Sequence, residues 1–200
     1  MNSFDFEHPP TDPLPSLHAW MREATETSLP NPNAMTLATI DPDGRPSARI
    51  VLLRGLDERG AVFFTNRESR KGLALETNKV AALVFHWDPL ERQIRIEGAV
   101  EHVSESESDA YWNGRPRGSQ LAARASRQSR PIADREAFEA ACREEEMRFE
   151  GADVQRPAHW GGYRVALERI EFWQGMNSRM HDRMTYRSTN AGWHLERLSP

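Results

Sequence analysis

Apolar residues recur along this chain with two periods. In "SLHAWMREATET" (16–27), Leu17, Trp20, Met21 and Ala24 fall three and four apart, which places them on one side of a short amphipathic helix. Further on the period becomes two. "NPNAMTLATIDPDGRPSARIVLLRGLDERGAVFFTN" reads as a β-meander with strands over about 34–40, 46–53 and 61–65, broken by the turns "DPDG" and "LDERG". "NRESRKGLALETN" (66–78) returns to a helix, with Asn66 or Ser69 as N-cap and Asn78 at its end. "VAALVFHW" (80–87) and "RQIRIEGAVEHV" (92–103) are strands, the second alternating Ile94 and Ile96 with Arg95 and Glu97. "SESE" (104–107) has the form of a capping box, so a helix follows to about Asn113. "SQLAARAS" and "DREAFEAACREEEMRFEG" read as helices, the latter closed by Gly151, and strands are expected at about 161–173, 180–187 and 192–197. Strands joined by tight turns and short helices predict a mainly β protein: an antiparallel sheet, closed into a barrel, with peripheral helices. The proline-rich residues 1–13 are expected to form a flexible segment, and 14–200 a single domain.

Composition narrows the classes. A net charge of −4 does not favour non-specific nucleic-acid binding. Cys142 is the one cysteine, which excludes an internal disulfide and a CxxC-type zinc site. His86, His102, His159 and His194 have no metal-ligand spacing, and no metal is expected. "MNSFDFEHPPTDPLP" has neither a basic start nor an apolar stretch, and no run of about 18 apolar residues exists. The expectation is a soluble cytoplasmic protein without a membrane span. There is no P-loop or dinucleotide-binding glycine motif; "DPDG" and "WGG" read as turn glycines.

Four stretches can carry chemistry. In "FWQGMNSRMHDR" (172–183) a turn at Gly175 followed by a returning strand would put Arg179, His181 and Arg183 on one face. Like charges at that spacing repel. The face is therefore either a solvated edge or one that looks at an anion through arginine forks. "ESRKG" places Arg70 and Lys71 at a helix N-terminus, where the positive end of the dipole disfavours cations unless a phosphate binds there. "SARIVLLR" ends an apolar strand with Arg49 and Arg54, five apart and so on opposite faces. "YWNGRPRGSQ" spaces Tyr111, Arg115 and Ser119 by four across Pro116, and "RQS" adds Gln128 and Ser129.

Together these motifs occur in a recognisable order: "RIVLLR", "VFFTNRESRKG", "LERQIRIEG", "RPRGSQ", "SRQS", "WGGYRV", "IEFWQG", "RMHDR" and the terminal "ERLSP". The set closely resembles the pyridoxine/pyridoxamine 5′-phosphate oxidase family from about residue 12 to the C-terminus. The long pieces "FTNRESRKG" and "EFWQGMNSRMHDR" are specific, whereas each short piece alone is weak. The resemblance implies an FMN-binding split β-barrel of antiparallel Greek-key type, and a homodimer with FMN held between subunits. It implies that Arg49, Ile50, Val51, Leu52, Leu53, Arg54, Phe64 and Thr65 line the FMN and that Arg70 and Lys71 hold its phosphate. Gln93, Gln128, Ser129, Trp173 and Arg183 complete that site, some from the partner subunit. Tyr111, Arg115 and Ser119, with Arg54, take the phosphate of a B6 vitamer, while Arg179, Met180 and His181 sit by the substrate ring, Arg179 and His181 as catalytic residues. The implied reaction is hydride transfer from the substrate's 4′ carbon to flavin N5, then reoxidation by O₂ to give hydrogen peroxide. Arg54 and Met180 stand where the family usually has lysine and leucine, Asn31 where an acid is common, and the N-terminus lacks the basic arm of many bacterial members. Competing readings are a related flavin oxidase of phenazine type, or a flavin- or vitamer-binding protein without turnover.

Overall fold

Among the described residues, 4–200 of a computed structural model, ten strands and five α-helices follow one another, two strands more than the periodicities predict: Gly55–Asp57 is a short strand where a turn was expected, and the strand expected over 161–173 is divided. Helix α1 is Leu14–Thr25. Strands β1 (Ala34–Ile40), β2 (Pro46–Leu52), β3 (Gly55–Asp57) and β4 (Gly60–Asn66) form the meander. Helix α2 (Arg70–Thr77) leads into β5 (Val80–Trp87) and the long β6 (Arg92–His102). Helices α3 (Glu105–Asn113), α4 (Arg117–Ala125) and α5 (Arg135–Arg148) come next. The chain ends with β7 (Trp160–Val165), β8 (Arg169–Gln174), β9 (Asp182–Thr189) and β10 (Gly192–Arg197). The expected capping box is present: the Ser104 hydroxyl accepts from Glu107 N–H, and the Glu107 carboxylate accepts from Ser104 N–H.

The sheet is antiparallel and curls until it closes, giving the mainly β barrel with peripheral helices that the pattern predicts. β2, β1, β5 and β6 pair in that order; β6 then pairs with β7, β7 with β4 and β4 with β3. β2 runs directly into β3, and Arg54 N–H donates to the Val62 carbonyl at 2.8 Å, which completes the circuit. β8, β9 and β10 extend outward from the first half of β6.

The strand expected over 161–173 is two. Val165 pairs with Val100 and Arg169 with Glu97, so the register slips by one residue across 166–168. This is a bulge, and it sends one half into the barrel and the other into the outer strands. Gly98 makes room for it: a Cβ there would lie 2.1 Å from the Ala166 carbonyl oxygen.

Alternate residues of these strands fill the core, among them Leu37, Phe63, Leu83, Phe85, Ile94, Ile96, Val165, Ile170 and Phe172. The N-terminal segment, expected to be flexible, is packed where it is described; residues 1–3 lie outside the described residues. Phe4 stacks on Phe172 at 4.5 Å between ring centroids and meets Trp20 and Tyr186 edge-on. The Tyr186 hydroxyl donates to the Pro10 carbonyl at 2.8 Å, and Arg197 pairs with Glu7. Two phenylalanines in a polar, proline-rich stretch bury enough apolar surface, about 1.5–3 kcal/mol each, to dock it between α1 and the outer strands.

Candidate active site

The start of α2 gathers cations around neutral oxygens. Ser69 caps the helix by accepting from Gly72 N–H. Lys71 Nζ donates to Thr65 Oγ1 (3.2 Å), Ser69 Oγ (3.2 Å) and Gln128 Oε1 (2.9 Å). Burial, with a smaller push from Arg49, lowers the Lys71 pKa from 10.5 to about 8. Arg49 donates to the Leu37 carbonyl, Thr39 Oγ1 and Ser47 Oγ at 2.8–3.1 Å, and burial lowers its pKa as well. Gln128 reaches Lys71 from the loop after α4, which Asn66 ties to β4 through the Ser126 carbonyl. The same loop holds Ser129 at φ +70°. Arg70, next to Lys71, takes another course: Nε and Nη2 donate to the carboxylate Oδ2 of Asp41 at 2.8 and 2.5 Å.

An aromatic wall adjoins this cluster. Phe64 stacks on Tyr111 (4.1 Å, 7°) and on Trp160 (5.6 Å, 10°). Gly162 permits the stack, because a Cβ there would come within 2.7 Å of the Phe64 ring. The "WGG" glycines are thus inside β7, where side chains approach the backbone closely, and not in a turn. The Arg115 guanidinium lies 4.8 Å from the Trp160 ring centroid, donates from Nη2 to the Ser119 carbonyl at 3.0 Å, and has a buried Nε with no partner. Burial lowers its pKa. Exposed Arg54 sits 5.8 Å from the Tyr111 ring. A cavity of about 380 Å³ opens between the two groups, lined by Phe64, Thr65, Arg115, Ser119, Gln128 and Trp160.

The third group lies on the outer strands. Gln93, Trp173 and Arg183 occupy one register row across β6, β8 and β9. Arg183 pairs with the buried carboxylate of Glu171 at 2.8 Å and donates to the Ser199 carbonyl. The His181 ring packs on Trp173 at 4.7 Å, and its Nδ1 accepts from Met176 N–H. The alternating face expected for Arg179, His181 and Arg183 does not form. Ser178 and Arg179 both take left-handed backbone angles (φ +57° and +61°) in a 3-10 turn, and β9 begins only at Asp182. Arg179 and Met180 are exposed, Met180 at 70%. On β2, Ile50 faces outward at 63% exposure, whereas Val51 and Leu53 lean on the core and Leu52 is half-buried.

No hydrogen bond, ion pair or ring contact joins the Lys71–Arg115 region to the Trp173–Arg183 region among the described residues. The sequence assigns no site role to Asp41, Trp160, Gly162 or Glu171, although "DPDG" and "WGG" read as turns. Of these, only "WGG" carried a local signal, two adjacent glycines in an otherwise apolar strand.

A family model described as pyridoxamine 5′-phosphate oxidase matches residues 21–149, and one described as the pyridoxine 5′-phosphate oxidase C-terminal dimerisation region matches 160–200. The chain is 56% identical over 189 residues to a pyridoxine/pyridoxamine 5′-phosphate oxidase of Rubrobacter xylanophilus, covering 94% of this chain and 87% of that one. It is 54% identical over 193 residues to the enzyme of the same name from Pseudomonas syringae pv. tomato, covering 96% and 90%. Among solved structures, PhzG from Burkholderia lata 383, in complex with tetrahydrophenazine-1-carboxylic acid, superposes with a TM-score of 0.91 at 33% identity, covering 98% of this chain and 96% of that one. A pyridoxamine 5′-phosphate oxidase-related, FMN-binding protein from Nostoc punctiforme PCC 73102 shares the fold, with a TM-score of 0.76 at 18% identity and coverage of 94% and 98%.

Proposed function

The chain belongs to the pyridoxamine 5′-phosphate oxidase family and is an oxidoreductase, and from that premise we propose that it is an FMN-dependent oxidase. It converts pyridoxine or pyridoxamine 5′-phosphate to pyridoxal 5′-phosphate with O₂ as electron acceptor, releasing hydrogen peroxide; the amine is oxidised to an imine, which water hydrolyses to the aldehyde and ammonia. The observation that carries this reading is a set of cations with no ion-pair partner within salt-bridge distance among the described residues, beside an aromatic cavity. Lys71 and Arg49 make only neutral hydrogen bonds, and Arg115 keeps a buried N–H without a partner. A half-buried cation held this way favours an anionic ligand, which restores what desolvation costs.

The donor set suits two phosphates. Lys71, Arg49, Arg70, Thr65, Gln128 and Ser129 would hold the FMN phosphate at the start of α2, where backbone N–H groups add to the field. Tyr111, Arg115, Ser119 and Arg54 would hold the vitamer phosphate at the other end of the cavity. Bound FMN supplies the two-electron redox chemistry, and the protein supplies orientation and electrostatics. Phe64 and Trp160 give an apolar wall that excludes water from the ring region. His181, whose Nδ1 is engaged by Met176 N–H, presents Nε2 as a donor when neutral. Arg179, on its tight turn, and Met180 would reach the substrate of the other subunit's cavity. The homodimer this requires is supported by the match of residues 160–200 to a C-terminal dimerisation region.

The nearest rival is a substrate of phenazine type, given the similarity to PhzG. Arg115, half-buried and facing the cavity with Ser119, favours a phosphorylated substrate instead. Purified protein given pyridoxamine 5′-phosphate in air is expected to release peroxide and aldehyde together. Bound flavin without either product would leave a binding protein, and turnover of a non-phosphorylated tricyclic acid alone would select the rival.

Lys71 also sets a pH dependence. Its folded-state pKa is about 8 against 10.5. The flavin-free fold therefore gains stability as pH rises from about 8 to 10.5, where the unfolded chain still binds the proton. A phosphate at Lys71 favours the proton, so FMN affinity is expected to fall as pH rises above about 8, by at most roughly tenfold per pH unit. Flavin fluorescence titrations from pH 7 to 10 check this, with riboflavin as a control that shows no such slope. Equal slopes for both flavins would mean that Lys71 does not meet the phosphate.

A further inference from the structure

Asp41 closes β1 in the "DPDG" turn, where Asp41 N–H donates to the Arg45 carbonyl and Gly44 N–H to the Asp41 carbonyl, each at 2.8 Å. The residue is 6% exposed, unusual for a turn aspartate. Oδ2 takes both Nε and Nη2 of Arg70, while Oδ1 is buried without a partner. The same turn grips the far end of α2, because Asn78 Nδ2 donates to the Ile40 carbonyl at 3.0 Å and the Asp41 carbonyl at 3.4 Å. The helix is thus held to this turn at its first residue and at its C-cap. With α2 fixed in rotation, consecutive residues diverge by about 100°. Arg70 goes to Asp41, and Lys71 goes to Thr65 and Gln128.

A guanidinium has five N–H groups in a rigid fork. Asp41 occupies two of the Arg70 groups and leaves Nη1 without a protein hydrogen bond. A cleft of about 430 Å³ opens at this point between Asp41, Glu68, Arg70, Ser129 and Arg130. An arginine side chain without such a partner carries rotamer entropy that an anion must overcome to engage it. A carboxylate beneath it removes that cost beforehand and fixes which edge of the fork remains available.

Resting on the FMN reading of this site, we propose that Asp41 is a positioning residue: it holds α2 and the Arg70 guanidinium in the orientation that receives the cofactor phosphate. Two effects of the carboxylate oppose each other. Its charge repels a phosphate, and its grip preorganises a fork that attracts one. The close two-point contact with Arg70 already offsets its charge, so preorganisation wins.

The test compares FMN with riboflavin, which differ only by the phosphate. Asp41→Asn keeps the size of the side chain and removes the charge. FMN is expected to bind roughly 10- to 100-fold more weakly to Asp41→Asn, within the range of a charge-assisted hydrogen bond, while riboflavin affinity holds. Arg70→Ala should give the same split, and Asp41→Asn with Arg70→Ala should be no worse than Arg70→Ala alone. Circular dichroism and thermal melts of each variant confirm that the barrel is folded. The proposal is overturned if both flavins weaken alike, if the two substitutions add, if FMN binding is unchanged, or if FMN binds more tightly, which would make Asp41 a competitor of the phosphate. Should the unsubstituted protein bind neither flavin, the FMN reading itself fails, and the variants are not needed to see it.

Discussion

Lys71→Ala is expected to weaken FMN by about 1.5–3 kcal/mol, the worth of a hydrogen bond to a charged group, while the flavin-free protein stays as stable as before or gains. The two halves of this result have one cause. In the flavin-free fold the ammonium is half-buried, repelled by Arg49, placed against the positive end of α2, and met, among the described residues, only by neutral oxygens. Removing it relieves desolvation and breaks no ion pair. A phosphate bound at the start of α2, as proposed, would turn the same group into a strong contact, so its loss would be felt only in the complex. Arg70→Ala contrasts with it, although the two residues are adjacent. Removing Arg70 strands the Asp41 carboxylate, 6% exposed and with one oxygen already unpaired. An unsatisfied buried charge of that kind costs about 1–3 kcal/mol or more, so Arg70→Ala should lower the melting temperature of the flavin-free protein as well as FMN affinity. Thermal melts and FMN titrations of both variants decide it. A Lys71→Ala protein that melts early yet binds FMN normally would make Lys71 a structural residue.

The contrast between these neighbours marks where sequence stops being informative. Hydrophobic period located β1 over 34–40 and β5 over 80–87 to the residue, because both strands are regular and half-buried. Ser104 and Glu107 announced α3 through local chemistry alone. The bulge at 166–168 was invisible, since an added residue changes no composition and its cause is a long-range contact with Gly98. The left-handed pair Ser178 and Arg179 was equally hidden: neither is glycine, and tertiary context holds both. That pair dissolved the expected row of three cations. Phe4 and Phe6 looked loose because a proline-rich, polar neighbourhood masks two aromatic anchors. In the site, sequence supplied the charges at 49, 70, 71 and 115 but not their partners. Whether a cation meets Asp41 or Gln128 depends on the rotation of α2, and only packing fixes that.

Mixing two variants, assayed at an FMN concentration too low to fill their damaged sites, is expected to restore activity. In a single chain Gln128 and Arg115 line one cavity and Lys71 bonds to Gln128 at its edge, whereas Trp173, His181 and Arg183 lie on the outer strands, with no contact between the groups among the described residues. If both groups serve one FMN, they meet across a two-fold interface, each site taking the first group from one subunit and the second from its partner. Lys71→Ala and Arg183→Ala homodimers then each carry two damaged sites. A mixed dimer concentrates both lesions in one site and leaves the other whole. Random reassociation makes about half of the dimers mixed, so about a quarter of all sites recover full function. The mixture should therefore oxidise pyridoxamine 5′-phosphate at about a quarter of the unsubstituted rate per site, after denaturation and joint refolding with FMN. The sign is robust, because a site built within one chain gives no recovery at any mixing ratio: every subunit would still carry its own lesion. Arg183→Ala also leaves the Glu171 carboxylate, 3% exposed, with only Arg95 among the described residues to balance it. Arg183→Lys is the companion variant that keeps this charge and loses the planar fork. Recovery with either variant places the flavin between subunits; its absence with both, in dimers shown to exchange, places all of the active residues in one chain.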